Sequence, residues 1–245
     1  MEKGLIGVSD VSRKIKKGYI CINNEWHKII KGYLGVNNVS ERVLLDLPDA
    51  YQEVEYLETT TAGPYIRTNI APGTYDGNYA IEIKELHTTL PSNAYIIASG
   101  SSKDYPRANI RIDSDGATTR FYTNSLSGGT VGLFGTISLN AYNTIYVSSD
   151  QTNNIMTLKI GDTVKTSTQE YISTGTTKWS IFSMGTGNKF VGRICYTKFW
   201  GNGQLVGYFI PCYRKSDNVA GMYDIVGDAF YTNQGTGSFS VGGDV

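Results

Sequence analysis

Hydrophobic and polar positions alternate in short runs along most of this chain, and Gly, Asn and Asp separate the runs. YAIEIKEL, AYIIASG, ANIRIDSDG, TRFYTN, NTIYVSSD, IMTLKIGDT, KWSIFSM, RICYTKFW and LVGYFIPC all read this way. A period of two marks a strand with one buried face, whereas a helix repeats its apolar residues every three to four positions. No stretch after Tyr51 carries a convincing helical period. Many short strands with turn signals between them predict an antiparallel sandwich or barrel, and residues 51–245 are enough for a two-sheet jelly roll. One hairpin can be read in register. If Asn202-Gly203 is a two-residue loop, Cys195 faces Ile210 and Cys212 faces Arg193, so the two thiols lie diagonal and no bridge is expected.

The first 45 residues carry a longer period. Gly4, Gly18 and Gly32 open GLIGVSDVSRKI, GYICINNEWHKI and GYLGVNNVSERV at a constant spacing. Each copy has turn formers at the same slot: Ser9-Asp10, Asn23-Asn24 and Asn37-Asn38. Asn tolerates positive φ, which tight hairpin turns require, so each copy predicts a β-hairpin. Alternation then puts Ile6, Val8, Val11 and Ile15 on one face of the first copy. Ile20 and Ile22 share a face in the second, with Glu25 as the misfit. Leu34, Val36, Val39 and Val43 share one in the third. A lone hairpin is marginal in water, so these faces must be buried against something. The predicted organisation is three hairpin repeats over residues 1–45 for docking or oligomerisation, a linker over 46–50 around Pro48, and a jelly roll over 51–245.

Composition narrows the function classes. Charge is balanced, 22 basic residues against 22 acidic, which argues against a nucleic-acid partner. No run of 18 apolar residues exists, so no membrane-spanning helix is expected. The start, MEKGLIGVSD, lacks the apolar core of a secretion signal, and synthesis in a host cytoplasm is the expectation. The three cysteines, an odd number, do not suggest a disulfide framework.

Two phrases carry a resemblance. VEYLETTTAGPYIRTNIAP and FIPCYRKSDNVAGMYDIVGDAFYTNQGTGSFSVG resemble the opening and the close of concanavalin A-like, laminin-G-like domains of phage and prophage structural proteins and of some bacterial surface proteins. GYLGVNNVSERV resembles short repeats that open such phage proteins. The resemblance implies an all-β jelly-roll sandwich on a virion, as a non-enzymatic tail, fibre or capsid-decoration component. Its partners would be other virion proteins and further copies of itself; it does not by itself imply a ligand, and host-surface glycans are the candidate for the outward jelly roll. The alternative is a cell-surface carbohydrate-binding module or a weak glycoside hydrolase.

Candidate chemistry is sparse. Some relatives of this fold cleave β-glucans with carboxylates alternating on one strand, and EVEYLE supplies Glu53, Glu55 and Glu58. Glu53 and Glu55 would stand about 6.5–7 Å apart on one face, between retaining and inverting separations. Against this, the central Asp of that motif is a Glu here, and the motif sits at the start of the domain. Glu82 and Glu85 fall on opposite faces, and His27 and His87 sit in no recognisable motif. Laminin-G-like domains often bind calcium, and Asp113 and Asp115 in DSDG could serve it, although a hairpin turn is the simpler reading. For sugar stacking the candidate rings are Tyr65, Tyr105, Tyr122, Trp179 and Trp200.

The repeat generates a first prediction. Burying each apolar side chain of the hairpins is worth roughly 1.5–3 kcal/mol, too much to leave wet on so small an appendage. The full chain is therefore expected to sediment as an oligomer, with a trimer favoured by analogy with fibrous phage proteins. A chain lacking residues 1–45 should remain folded and monomeric. A full-length monomer at micromolar concentration overturns this.

Overall fold

The computed structural model describes residues 19–22, 25–28, 31–36, 39–44, 47–60, 63–88, 94–100, 108–115, 117–124, 130–168, 175–183 and 190–245. The chain divides into two compact units, Met1–Pro48 and Asp49–Val245. In the first unit β1 (Tyr19–Ile22) pairs with β2 (Glu25–Lys28), and β3 (Lys31–Val36) with β4 (Val39–Leu44). Ile22 lies opposite Glu25 and Ile20 opposite His27; Val36 lies opposite Val39 and Leu34 opposite Glu41. The second and third sequence repeats are thus antiparallel hairpins in the expected register. The first repeat, with Ile6, Val8 and Val11, lies outside the described residues.

The second unit is a sandwich of two antiparallel sheets. The smaller has six strands in the order β12 (Thr130–Thr136), β11 (Thr118–Asn124), β10 (Ala108–Ile112), β9 (Ala94–Ser99), β16 (Trp179–Ile181) and β7 (Ile66–Arg67). The larger runs β15 (Thr163–Ser167), β14 (Ile155–Ile160), β13 (Asn143–Asp150), β8 (Tyr79–His87), β17 (Gly192–Gly201), β18 (Gln204–Arg214), β19 (Val219–Asp224) and β20 (Ala229–Thr232). Three short strands join it: β5 (Tyr51–Glu53), β6 (Leu57–Thr59) and β21 (Ser240–Val241). The single described helical element is a 3-10 turn at Pro72–Tyr75.

One apolar core fills the space between the sheets. Ile81, Ile83, Ile145, Val147, Phe199 and Phe209 come from the larger sheet, and Ile110, Phe121 and Ile181 from the smaller. Trp179 closes the core between Tyr79 and Phe199, at centroid distances of 5.5 and 6.2 Å. The inner face of β8 turns polar at its end. Glu85 and His87 continue the inward series of Ile81 and Ile83 and are fully buried. His87 Nδ1 lies 3.1 Å from Glu85 Oε2, and Asn143 Nδ2 donates to Glu85 Oε1 at 2.8 Å. Burial pushes the Glu85 carboxyl up, against the pull of His87 and Asn143. Asn143 also donates to the carbonyls of Ser138 and Ala141 and accepts from the Ser138 amide, which fastens the β12–β13 connection to the sheet.

The cysteine hairpin follows the sequence reading at its turn and departs from it farther along. Asn202 and Gly203 both have positive φ, 50° and 78°, as a two-residue turn of the mirror-image type demands. A bulge after Phe199 then shifts the register by one. Beyond Thr197 and Phe209 the strands separate. β6 pairs with β17 (Leu57 with Ile194), and β5 with β18 (Glu53 with Cys212). Chain thus lies between the strands that carry Cys195 and Cys212, and both thiols are free.

The same wedge joins the start and end of the unit. β21 pairs with β6, Tyr65 N donates to Asn233 Oδ1 at 3.1 Å, and Asn233 also accepts from the Gly235 amide at 2.7 Å. A Cβ on Gly235 would sit 2.1 Å from the Gly63 carbonyl. In GMYD, Asp224 Oδ1 accepts from the amides of Tyr208 and Val226. The two phrases that carry the family resemblance are therefore structural, and each needs the other.

The polar tie at Asn143 is testable by stability. Asn143→Ala removes a donor from a buried carboxylate and three bonds to the connecting segment. It should cost about 2–3 kcal/mol, read as a lower urea midpoint at unchanged m-value. A loss below about 0.5 kcal/mol would mean that the cluster is not tying the segment down.

Candidate functional site

The outer face of the six-stranded sheet is assembled by alternation. On β10, Ile110 and Ile112 face the core, so Asn109 and Arg111 face outward, with Asp113 next in the series. On β11, Phe121 faces the core and Arg120 and Tyr122 face outward. Register aligns these into two rows across four strands. One row is Ala98, Asn109, Tyr122 and Gly132; the other is Tyr95, Arg111, Arg120 and Phe134. Small residues end the first row, and large aromatic residues end the second.

The second row and Asp113 form a hydrogen-bonded set. Arg111 donates from Nε and Nη2 to Asp113 Oδ1 at 3.2 and 2.8 Å. Arg120 donates from Nε to Asp113 Oδ2. Burial is the largest single influence on the Arg111 charge and works against it, but the bonds to Asp113 and Tyr95, with the nearby Tyr122 and the Asp113 charge, together hold the guanidinium above its ordinary pKa. Its centre lies 6.0 Å from the Tyr95 ring and 5.5 Å from the Tyr122 ring, and the two phenols share a 2.9 Å hydrogen bond. The Arg120 guanidinium sits 4.6 Å from the Phe134 centroid, and that ring is 45% exposed.

Asn109 is the exception within this set. Its side chain is fully buried, yet neither the amide nitrogen nor the oxygen has a hydrogen-bond partner among the described residues. A buried polar group without a partner costs about 1–3 kcal/mol, so this amide works against stability.

The outer face of the larger sheet is also aromatic, but its groups are spent on each other. Tyr146 meets Trp200 edge to face at 6.2 Å, and Tyr196 meets Tyr208 in the same manner. Lys198 pairs with Glu82 at 2.9 Å. Arg193 pairs with Glu58 at 2.9 Å and covers the Tyr56 ring.

The candidates read from sequence fall in several places. Tyr122 belongs to the patch. Trp200 lies on the opposite outer face. Tyr65 packs against the core beneath Arg67. Trp179 is 1% exposed and is a core residue, so it offers no ring to a ligand. Tyr105 lies outside the described residues. The carboxylates of EVEYLE do not share a strand: β5 ends at Glu53, Glu55 is exposed in the link, and Glu58 on β6 is held by Arg193. The cause is the wedge, which sends the two halves of the phrase to different partner strands.

The calcium candidates are engaged elsewhere. Asp113 serves the two arginines. Asp115 Oδ1 accepts from the amides of Ala117 and Thr118, and Oδ2 from the Thr118 hydroxyl, which holds its pKa below the usual value. Among the described residues no group of three or more His, Cys, Asp or Glu side chains converges to hold a metal. Sequence reasoning missed Tyr95, Asn109, Arg111, Arg120 and Phe134. The alternation in ANIRID and TRFYTN was the available signal for the polar members.

No family model matches the chain, and no curated protein matches it. Solved structures do. The IT-sialidase CBM40 of Ruminococcus gnavus, solved with α2,3-sialyllactose, aligns with TM-score 0.50 and 16% identity over 61% of this chain and 90% of that one. A Bacteroides ovatus protein proposed to bind carbohydrate aligns with TM-score 0.54 and 12% identity over 79% of this chain and 62% of that one. Domains LG4-5 of the mouse laminin α1 chain align with TM-score 0.46 and 9% identity over 77% and 51%. At these identities the likeness is one of fold: a two-sheet, all-β jelly roll shared with carbohydrate-binding proteins.

Proposed function

We propose that the jelly roll is a non-enzymatic glycan-binding module and that its site is the outer face of the six-stranded sheet. The exposed Phe134 ring, lying against the Arg120 guanidinium, carries this reading. That ring can meet the apolar face of a sugar, and Arg120 offers N–H donors next to it. The fold shared with carbohydrate-binding modules supports the same reading. Catalysis would need a second positioned carboxylate, and the carboxylate within the patch, Asp113, is committed to two arginines.

We further propose, on the sequence resemblance, that this binder is a virion component anchored and trimerised through the N-terminal hairpins. Peptides of the chain in purified particles, by mass spectrometry, are the expected result, and their absence overturns the location. A cell-surface carbohydrate-binding module is the second reading; it draws on the same patch and predicts that absence.

The binding reading makes a paired prediction. Asn109→Leu keeps a similar volume and removes the stranded amide. It should raise stability by about 1 kcal/mol or more in urea denaturation and leave affinity on a glycan array unchanged, because the side chain is buried. Phe134→Ala should lower affinity with little change in stability. A glycan array on which the wild type binds nothing overturns the proposal.

A further inference from the structure

Resting on that reading, we infer that the patch selects an acidic sugar and that Arg120 receives its carboxylate or sulfate. The two arginines face one carboxylate but are not equivalent. Arg111 gives Nε and Nη2 to the same oxygen of Asp113, lies between two tyrosine rings, and its side chain is 17% exposed. Arg120 gives Asp113 its Nε alone, and its side chain is 38% exposed. Nη1 and Nη2 of Arg120 have no protein partner among the described residues.

Two contacts therefore fix the Arg120 guanidinium without using its outer edge. Asp113 holds it at Nε, and the Phe134 ring lies under its centre. What remains free is a pair of parallel N–H donors, the fork that meets a carboxylate or a sulfate in two hydrogen bonds. Because the plane is already oriented, little side-chain entropy is left to lose on binding. A neutral hydroxyl can use only part of this fork. Asp115, a second carboxylate close to Arg120, has both oxygens occupied by its own turn. Phe134, which seats the guanidinium, also presents an exposed ring, so the charged group and the sugar face would be met side by side.

The test uses the full chain and matched glycans: polygalacturonate against its carboxyl-reduced form, and chondroitin 6-sulfate against chondroitin. The first pair isolates the carboxylate and the second the sulfate. The wild type is expected to favour the acidic member of at least one pair by about tenfold or more, with the preference shrinking as salt rises. Arg120→Gln should abolish the preference, and Arg120→Lys should restore only part of it, because an ammonium does not form the fork. Both variants should melt within about 2 °C of wild type, since Arg111 still pairs with the Asp113 carboxylate in each. Equal binding of acidic and neutral members, or a preference that survives Arg120→Gln, overturns this inference and leaves glycan binding standing. No binding to any glycan, acidic or neutral, overturns both.

Discussion

The two sheets share one apolar interior, and the alternation of side chains along each strand ties the outer faces to it. Ile81 and Ile83 point inward, so Glu82 and Lys84 must point out. Ile110 and Ile112 point inward, so Asn109 and Arg111 must point out. A slip of one residue would exchange the two sets. Each large side chain in the core is worth roughly 1.5–3 kcal/mol, whereas an exposed ion pair is worth about 0–1 kcal/mol. The core thus sets the register, and the outer patches take the positions it leaves them.

Where the inner face stops being apolar, the structure compensates with close pairing. Glu85 and His87 stay on the inward side of β8 and are balanced by each other and by Asn143. At the other irregularity, the opening and closing segments of the unit enter between β17 and β18. That entry separates the two cysteines, divides EVEYLE between two strands, and uses Asn233 and Gly235 of the closing phrase in backbone contacts.

The two outer faces show why aromatic content alone does not locate a site. The larger sheet displays Tyr146, Trp200, Tyr196 and Tyr208, but ring meets ring and charge meets charge. The smaller sheet leaves the outer edge of the Arg120 guanidinium unused among the described residues. Unspent hydrogen-bonding capacity distinguishes a surface that can bind from one that is already satisfied.

The sequence by itself determined whatever depends on near neighbours. The strand runs, the Asn202-Gly203 turn, the hairpin copies after Gly18 and the all-β class were legible because alternation and turn chemistry act over a few residues. The strand Thr130–Thr136 was not, because Gly132 and Gly135 dilute its pattern; a Cβ at Gly135 would meet Ile160 of the facing sheet, a contact invisible from the chain. Trp179 read as a candidate ring because nothing local says that Tyr79 and Phe199 enclose it. Asn109, Arg111 and Asp113 could be placed on one face from sequence. That Tyr95, Arg120, Tyr122 and Phe134 lie beside them was decided only when β9, β10, β11 and β12 came together. Strand adjacency is set by burial summed over residues distant in the chain, and no local pattern encodes that sum.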